Sequence, residues 1–102
     1  MLNLDVKKKP LLELCQKHRV RRLVLFGSAL TGDFNPETSD VDLLVEFKDF
    51  DQPADYAQNY FDFLVALELL MGRRVDLLTL GSLKNPYLKA SIEASQELLY
   101  AA

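Results

Sequence analysis

The segment that decides the fold is LFGSALTGDFNPETSDVDLLVEF, residues 25–47. Its last eight residues alternate apolar and polar side chains, which is typical of a strand that buries one side. One face of the strand would carry Val41, Leu43, Val45 and Phe47, and the other would carry Asp40, Asp42, Leu44 and Glu46. Before this strand, Gly27-Ser28 interrupts an apolar run, and a stretch rich in Asp, Asn, Pro and Ser follows. The segment therefore predicts a strand, a turn, a loop and a second strand.

The rest of the chain adds helices around these strands. The predicted elements are a helix from within a turn of Pro10 to His18, strands Val20–Phe26, Asp40–Phe47 and Arg73–Leu80, a helix Pro53–Met71 closed by Gly72, and a last helix from Asn85-Pro86 to about Tyr100. This order predicts an α+β fold with α/β-like alternation, in which a small mixed β-sheet is covered by helices.

Length and composition limit the class of protein. The 102 residues are 49% hydrophobic and 26% charged, which predicts one globular domain spanning residues 1–102. No apolar run approaches the roughly 20 residues of a membrane span. Cys15 and His18, each the sole residue of its type, exclude a zinc finger and an internal disulfide. The N-terminus lacks a leader pattern, so we expect a cytoplasmic protein.

Charge is unevenly distributed although the net charge is only −3. Residues 1–22 contain seven of the twelve basic residues, whereas residues 33–62 contain nine acidic residues and one basic residue, Lys48. Such asymmetry indicates either a cation site or polar partner surface in the acidic part, or two solvated faces of opposite sign.

Asp40 and Asp42 are the first candidate site residues. Two positions apart on a strand, they point to the same side, roughly 7 Å apart at the backbone. Like charges this close repel unless a cation lies between them, and Mg²⁺ prefers carboxylate oxygens. The alternative is a pair of solvated acids at the start of a strand.

Gly27 and Ser28 form the second candidate. A glycine after a strand lets the backbone approach a bulky anion, and N–H groups at a helix start bind phosphate oxygens. The Ser28 hydroxyl adds a further donor. The alternative is an ordinary signal for the start of a helix.

Asp76 is the third candidate. It interrupts the otherwise apolar strand VDLLTL, residues 75–80. An acid in a buried strand costs several kcal/mol unless it is paired or bound to metal. Arg74, on the same face, is an alternative partner in a structural ion pair.

Together these features are the parts of a two-metal phosphoryl-transfer site. Residues 25–47, with Gly-Ser followed by Asp-x-Asp, resemble the signature of the polymerase-β-type nucleotidyltransferase superfamily. Over residues 10–102, including RRVDLLTLGSLKNPYLK and ELLYAA, the chain resembles the minimal nucleotidyltransferase (MNT) family. Eleven residues separate Gly-Ser from the first aspartate, one more than is usual in that family, and the extra residue falls in the loop Asn35–Ser39.

The resemblance implies a nucleotidyltransferase fold, Mg²⁺ as cofactor and ATP as substrate. By position in the motif, Gly27 and Ser28 would bind the triphosphate, and Asp40 and Asp42 would coordinate both metals. Asp76 would ligate the catalytic metal and help to deprotonate the attacking hydroxyl. The products would be a nucleotidylated acceptor and pyrophosphate.

The resemblance also implies a partner. MNT proteins are commonly encoded beside a HEPN-domain ribonuclease toxin, which they inactivate by adding AMP to a tyrosine. We therefore expect an antitoxin that adenylylates a HEPN protein. Only 26 residues follow Asp76, so we expect the acceptor site to come from another chain. The alternatives are transfer to a small molecule or an RNA end, and an antitoxin that neutralises by binding alone.

The helix 53–71 is a candidate interface. Between Tyr60 and Met71 its only polar residues are Asp62 and Glu68, so no continuous polar face remains. The helix is either buried on both sides or in contact with a partner or a second copy. We expect the contact to be made by residues that face outward, and we predict that these are Phe63 and Leu70. We expect neither a membrane nor nucleic acid as a direct partner.

Overall fold

A mixed sheet with helices on both faces forms the framework of the molecule. The computed structural model describes residues 7–27, 41–79, 86–94 and 96–102. In chain order, the elements within them are α1 (Lys8–Lys17), β1 (Val20–Phe26), β2 (Val41–Phe47), α2 (Pro53–Met71), β3 (Val75–Thr79), α3 (Pro86–Ala94) and β4 (Gln96–Ala101). The strands form one sheet in the order β3-β2-β1-β4. The predicted α+β fold, with a small mixed sheet covered by helices, is confirmed.

The sheet contains both kinds of strand pairing. β1 is antiparallel to β2 and to β4, whereas β2 is parallel to β3. Parallel neighbours require a crossover connection, and α2 provides it. The predicted bounds of β1 and α2 are confirmed. Gly72 ends α2 in the left-handed region, with φ 68°, and its N–H donates to the Glu68 carbonyl at 2.9 Å.

Each face of the sheet has its own apolar core. The larger core joins the sheet to α1 and α2, with Leu43, Phe63 and Leu67 fully buried. The smaller core lies on the opposite face, where Val24 and Leu44 pack with Ile92 of α3. Because side chains alternate along a strand, Asp42 shares the α3 side with Leu44.

The outward face of α2 differs from the predicted one. Phe63 is fully buried, in edge-to-face contact with Phe47 at 5.8 Å between ring centroids, so its predicted outward position was wrong. Leu70 is only partly buried, against the larger core. The exposed stripe comprises Phe61, Val65 and Leu69, which are 60%, 56% and 79% exposed. No helix in the described ranges is long and apolar enough to cross a bilayer.

The C-terminal segment also departs from the prediction. The last helix ends at Ala94 rather than near Tyr100, and residues 96–101 form β4. β4 pairs with β1, with Tyr100 opposite Leu23. Its backbone thereby satisfies hydrogen-bonding groups along β1 that helix formation would leave unpaired. This tertiary pairing outweighs the local helical preference of ELLYAA.

Candidate active site

Two aspartates lie side by side near the starts of β2 and β3. Asp42 is in register with Asp76 across the parallel ladder, so their backbones are about 4.8 Å apart, the ordinary strand spacing. Both side chains point to the α3 side of the sheet, because their chain neighbours are buried on the other side. Asp42 is half-buried and Asp76 is exposed. The fold thus brings together two carboxylates that are distant in sequence.

Gly27 lies directly against the carboxylate of Asp42. The pairing of Phe26 with Asp42 places the end of β1 beside this side chain. Gly27 has φ 78°, and a Cβ added to it would overlap Oδ2 of Asp42. Its conformation and its surroundings therefore both require glycine. The group that the Gly27 backbone approaches here is a carboxylate of the protein, and its approach to a phosphate stays a prediction.

Replacing Gly27 with alanine is expected to cost more stability than the same change at Gly72. Both glycines have positive φ, which costs alanine about 1 kcal/mol or more. Only at Gly27 does the new methyl group also displace the Asp42 carboxylate, since nothing lies within 4 Å of a Cβ at Gly72. Thermal unfolding of both variants tests this. Equal losses in the two variants would contradict the proposed packing of Gly27 against Asp42.

Two predicted site residues, Ser28 and Asp40, lie outside the described residues. Their roles in triphosphate and metal binding remain predictions. Within the described ranges, no group of three or more His, Cys, Asp or Glu side chains is placed to hold a metal ion. The structure therefore assembles Gly27, Asp42 and Asp76 of the five predicted residues.

The environment of Asp76 differs from the buried one assumed from its strand. Its side chain is exposed, so the carboxylate does not carry the desolvation cost of an interior acid. Among the residues that the structure describes, Arg21 pairs with Glu46 at 3.5 Å, and no ion pair joins Asp76 to Arg74. The backbone carbonyl of Arg74 accepts a hydrogen bond from Val41 N–H at 3.1 Å. The alternative of a structural Arg74–Asp76 ion pair is thus not supported.

Tyr60 of α2 contacts the strand that carries Asp76. Its hydroxyl donates a 2.6 Å hydrogen bond to the carbonyl of Leu77, the residue after Asp76. Burial raises the pKa of Tyr60, and the nearby charge of Asp76 raises it further. The hydroxyl therefore stays protonated and remains a donor near neutral pH. Tyr60, on the side of α2 that faces β3, gave no motif-level signal.

An open hollow of about 460 Å³ lies between α2 and β3. Asp76 contributes to its wall together with the rings of Tyr56, Tyr60 and Phe61. A group entering this hollow from solvent comes into contact with Asp76, which is exposed. The hollow also connects Asp76 to Phe61, the first residue of the exposed stripe on α2.

The chemistry of the described site suits a divalent cation. Asp42 and Asp76 supply hard carboxylate oxygens, the ligand type that Mg²⁺ prefers. Their negative charges lie on adjacent strands, where mutual repulsion favours a cation between them. The exposure of Asp76 leaves room for water and substrate in the coordination shell. On these criteria, the residues fit Mg²⁺.

Comparison with known proteins identifies relatives over nearly the whole chain. The nucleotidyltransferase domain family matches residues 7–99. A Methanocaldococcus jannaschii protein provisionally named a protein adenylyltransferase is 39% identical, over 85% of this chain and 82% of the relative. The protein adenylyltransferase MntA of Thermococcus cleftensis is 34% identical, over 86% of this chain and 81% of the relative.

Solved structures with the same fold include toxin–antitoxin complexes. A structure provisionally named a minimal nucleotidyltransferase is 33% identical, with a TM-score of 0.69, over 92% of this chain and 90% of the other. A complex of tri-AMPylated Shewanella oneidensis HEPN toxin with MNT antitoxin matches with a TM-score of 0.64 and 18% identity, over 98% and 74% of the chains. A toxin–antitoxin structure with AMP-PNP matches with a TM-score of 0.66 and 20% identity, over 97% and 75%.

The family match and the fold agree with the arrangement of the site. The match covers β1, β2 and β3, the strands that place Gly27, Asp42 and Asp76. The resemblance to minimal nucleotidyltransferases noted in the sequence is confirmed. The chain belongs to the nucleotidyltransferase domain family.

Proposed function

We propose that this protein is an Mg²⁺-dependent adenylyltransferase that moves AMP from ATP to a tyrosine hydroxyl of a HEPN-type toxin and thereby acts as its antitoxin. The observation that carries the proposal is the in-register pair of Asp42 and Asp76 beside Gly27. We further propose that residues 1–102 form a single minimal nucleotidyltransferase domain.

The reaction requires an acceptor oxygen to attack the α-phosphorus of ATP. A new P–O bond forms to the acceptor, the bond to the β-phosphate oxygen breaks, and pyrophosphate leaves. The acceptor proton passes to the Asp76 carboxylate, which is exposed and borders the hollow between α2 and β3. General-base assistance of this kind requires a carboxylate within hydrogen-bonding reach of the hydroxyl. The exposure of Asp76 favours that reach.

Asp40, Asp42 and Asp76 are the residues that would hold Mg²⁺. When bound, the metal would neutralise the negative charge that develops on the phosphoryl oxygens. Gly27 and Ser28 would hold the triphosphate through backbone N–H groups and the serine hydroxyl. Asp42 contributes a fixed carboxylate, since its position is limited on one side by the Gly27 backbone.

The partner is proposed from the solved structures with the same fold. Those neighbours include an MNT antitoxin bound to an AMPylated HEPN toxin and a toxin–antitoxin structure with AMP-PNP. The relatives named protein adenylyltransferase support a protein acceptor and AMP as the transferred group. The stripe of Phe61, Val65 and Leu69 supports a protein partner, since an exposed apolar stripe is typical of an interaction surface.

The direct test is to mix the purified protein with its HEPN partner, ATP and Mg²⁺ and to record the intact mass of the partner. We expect a gain of one or more AMP units and loss of ribonuclease activity. Mapping the modified residue distinguishes tyrosine from other hydroxyl groups. Neutralisation of the partner without a change in its mass would favour the contact-only alternative, and transfer only to RNA or to a small molecule would favour the other.

We propose the exposed stripe of α2 as the docking surface for the HEPN partner. Phe61 belongs both to this stripe and to the hollow that contains Asp76. A partner covering the stripe is therefore adjacent to Asp76, the residue proposed to receive the acceptor proton. The same surface in contact with a second copy of this chain is the alternative occupant.

Replacing Leu69 with aspartate is expected to weaken partner binding at least about tenfold, because a charge within an apolar contact is left unpaired and desolvated. Leu69 is 79% exposed, so its replacement leaves no cavity, and we expect the free protein to lose only about 1 kcal/mol because an acid lies in the last turn of a helix. Binding is measured by titration calorimetry and self-association by sedimentation. The matched control is Leu98→Asp on β4, another exposed leucine. Equal effects at both positions would exclude α2 as the specific surface.

A further inference from the structure

Two side chains of α2 hold the backbone of β3 on either side of Asp76. Glu68 Oε2 accepts a hydrogen bond from Val75 N–H at 3.2 Å, and the Tyr60 hydroxyl donates to the Leu77 carbonyl at 2.6 Å. Residues two apart in a strand direct their backbone polar groups the same way, so both bonds are made on the side of β3 away from β2. The backbone at Asp76 is thus tied to α2 by the residue before it and the residue after it.

These two bonds matter because β3 lies at the edge of the sheet. The strand has five residues and pairs with β2 alone within the described sheet. Short edge strands fray readily, because half of their backbone groups have no strand partner. Glu68 and Tyr60 provide partners for two of those groups.

The Asp76 side chain is not itself anchored by a described neighbour. It is exposed, and the described part of the chain contains no hydrogen bond or ion pair to its carboxylate. Its position relative to Asp42 is therefore set by the β3 backbone and by the register of β3 with β2. A displacement of about 1 Å at a reacting group can cost as much as a hundredfold in rate.

We infer that Tyr60 and Glu68 are positioning residues that hold Asp76 beside Asp42 for nucleotidyl transfer. The inference rests on the proposed function, since it assigns these residues to the same site. Neither residue touches the reacting atoms in this arrangement. Each acts through the backbone of β3.

The first test is Tyr60→Phe, which keeps the ring and removes the hydrogen bond to Leu77. We expect kcat for AMP transfer to fall about tenfold while KM for ATP stays unchanged. The matched control is Tyr100→Phe, a partly buried tyrosine of β4 that packs against the larger core. It should leave kcat at the wild-type value. Wild-type kcat in Tyr60→Phe, or equal losses in both variants, would overturn the inference.

The second test compares two changes at Glu68. Glutamine keeps an oxygen that can accept from Val75 N–H, whereas leucine does not. We expect Glu68→Gln to retain most of the wild-type kcat and Glu68→Leu to lose about as much as Tyr60→Phe. Retention of kcat in Glu68→Leu, or equal loss in both variants, would contradict a positioning role for the accepted hydrogen bond. Circular dichroism checks folding, and if Glu68→Leu does not fold, Tyr60→Phe decides.

Asp76→Ala, measured in the same assay, distinguishes failure of the proposed function from failure of the positioning role. If Asp76→Ala transfers AMP at the wild-type rate, the role proposed for Asp76 fails, and the positioning role fails with it. If Asp76→Ala loses transfer while Tyr60→Phe and Glu68→Leu keep the wild-type kcat, the proposed function stands and only the positioning role is overturned.

Discussion

Replacing Asp42 with asparagine is expected to reduce AMP transfer by at least about a hundred- to a thousandfold, the usual cost of removing one preorganised group that stabilises transition-state charge. The change removes one of the two carboxylates that face each other across β2 and β3. It is nearly isosteric, so the close packing of Gly27 against this side chain is retained. The variant should therefore lose chemistry without losing the fold.

The same substitution, Asp42→Asn, also allows a prediction for the midpoint of thermal unfolding. Without Mg²⁺, the negative charges of Asp42 and Asp76 repel each other, and the amide relieves this repulsion. We expect the midpoint measured without Mg²⁺ to equal or slightly exceed that of the wild type. Asp51→Asn, an exposed acid in the loop before α2, is the matched control and should leave both activity and midpoint unchanged. An Asp42→Asn protein that stays active, or that fails to fold, would exclude the metal-site assignment.

The elements predicted correctly are those with local signals. The apolar run of β1 and the Pro53 and Gly72 that bound α2 depend on near neighbours, and the structure reproduces both elements. β4 was missed because its stability comes from pairing with β1, a partner some 75 positions away in the chain. Phe63 was misplaced because an apolar helix does not show which of its sides faces the sheet.

The sequence names candidate site residues but does not give their arrangement. The motif identifies Gly27, Asp42 and Asp76, whereas their juxtaposition depends on the register of a parallel pair that a long helix connects. The strand pattern of VDLLTL implied burial of Asp76, but a strand at the sheet edge leaves this face open. No sequence motif marks Tyr60 or Glu68, because each side chain makes its hydrogen bond to a backbone atom of β3, and any residue type has such an atom.

Replacing Asp76 with alanine is expected to lower AMP transfer about 10²- to 10⁴-fold, the range for loss of general-base catalysis, while nucleotide binding stays largely intact. The reason is a division of roles within the site. Asp76 borders the hollow that an acceptor can enter, whereas Gly27 and Asp42 lie together at the end of β1, where the triphosphate is proposed to bind. Because Asp76 is exposed, the substitution leaves no cavity, and the thermal midpoint should stay close to that of the wild type.

The measurement is a titration of a non-hydrolysable ATP analogue with Mg²⁺, paired with single-turnover transfer to the partner. Asp76→Ala should bind the analogue within a few-fold of the wild type and transfer AMP far more slowly. Asp42→Asn, titrated alongside, should show the weaker binding of the two because its carboxylate is assigned to both metals. Lost binding in Asp76→Ala together with an unaltered rate of transfer would reverse the assignment, placing Asp76 with the nucleotide rather than with the acceptor.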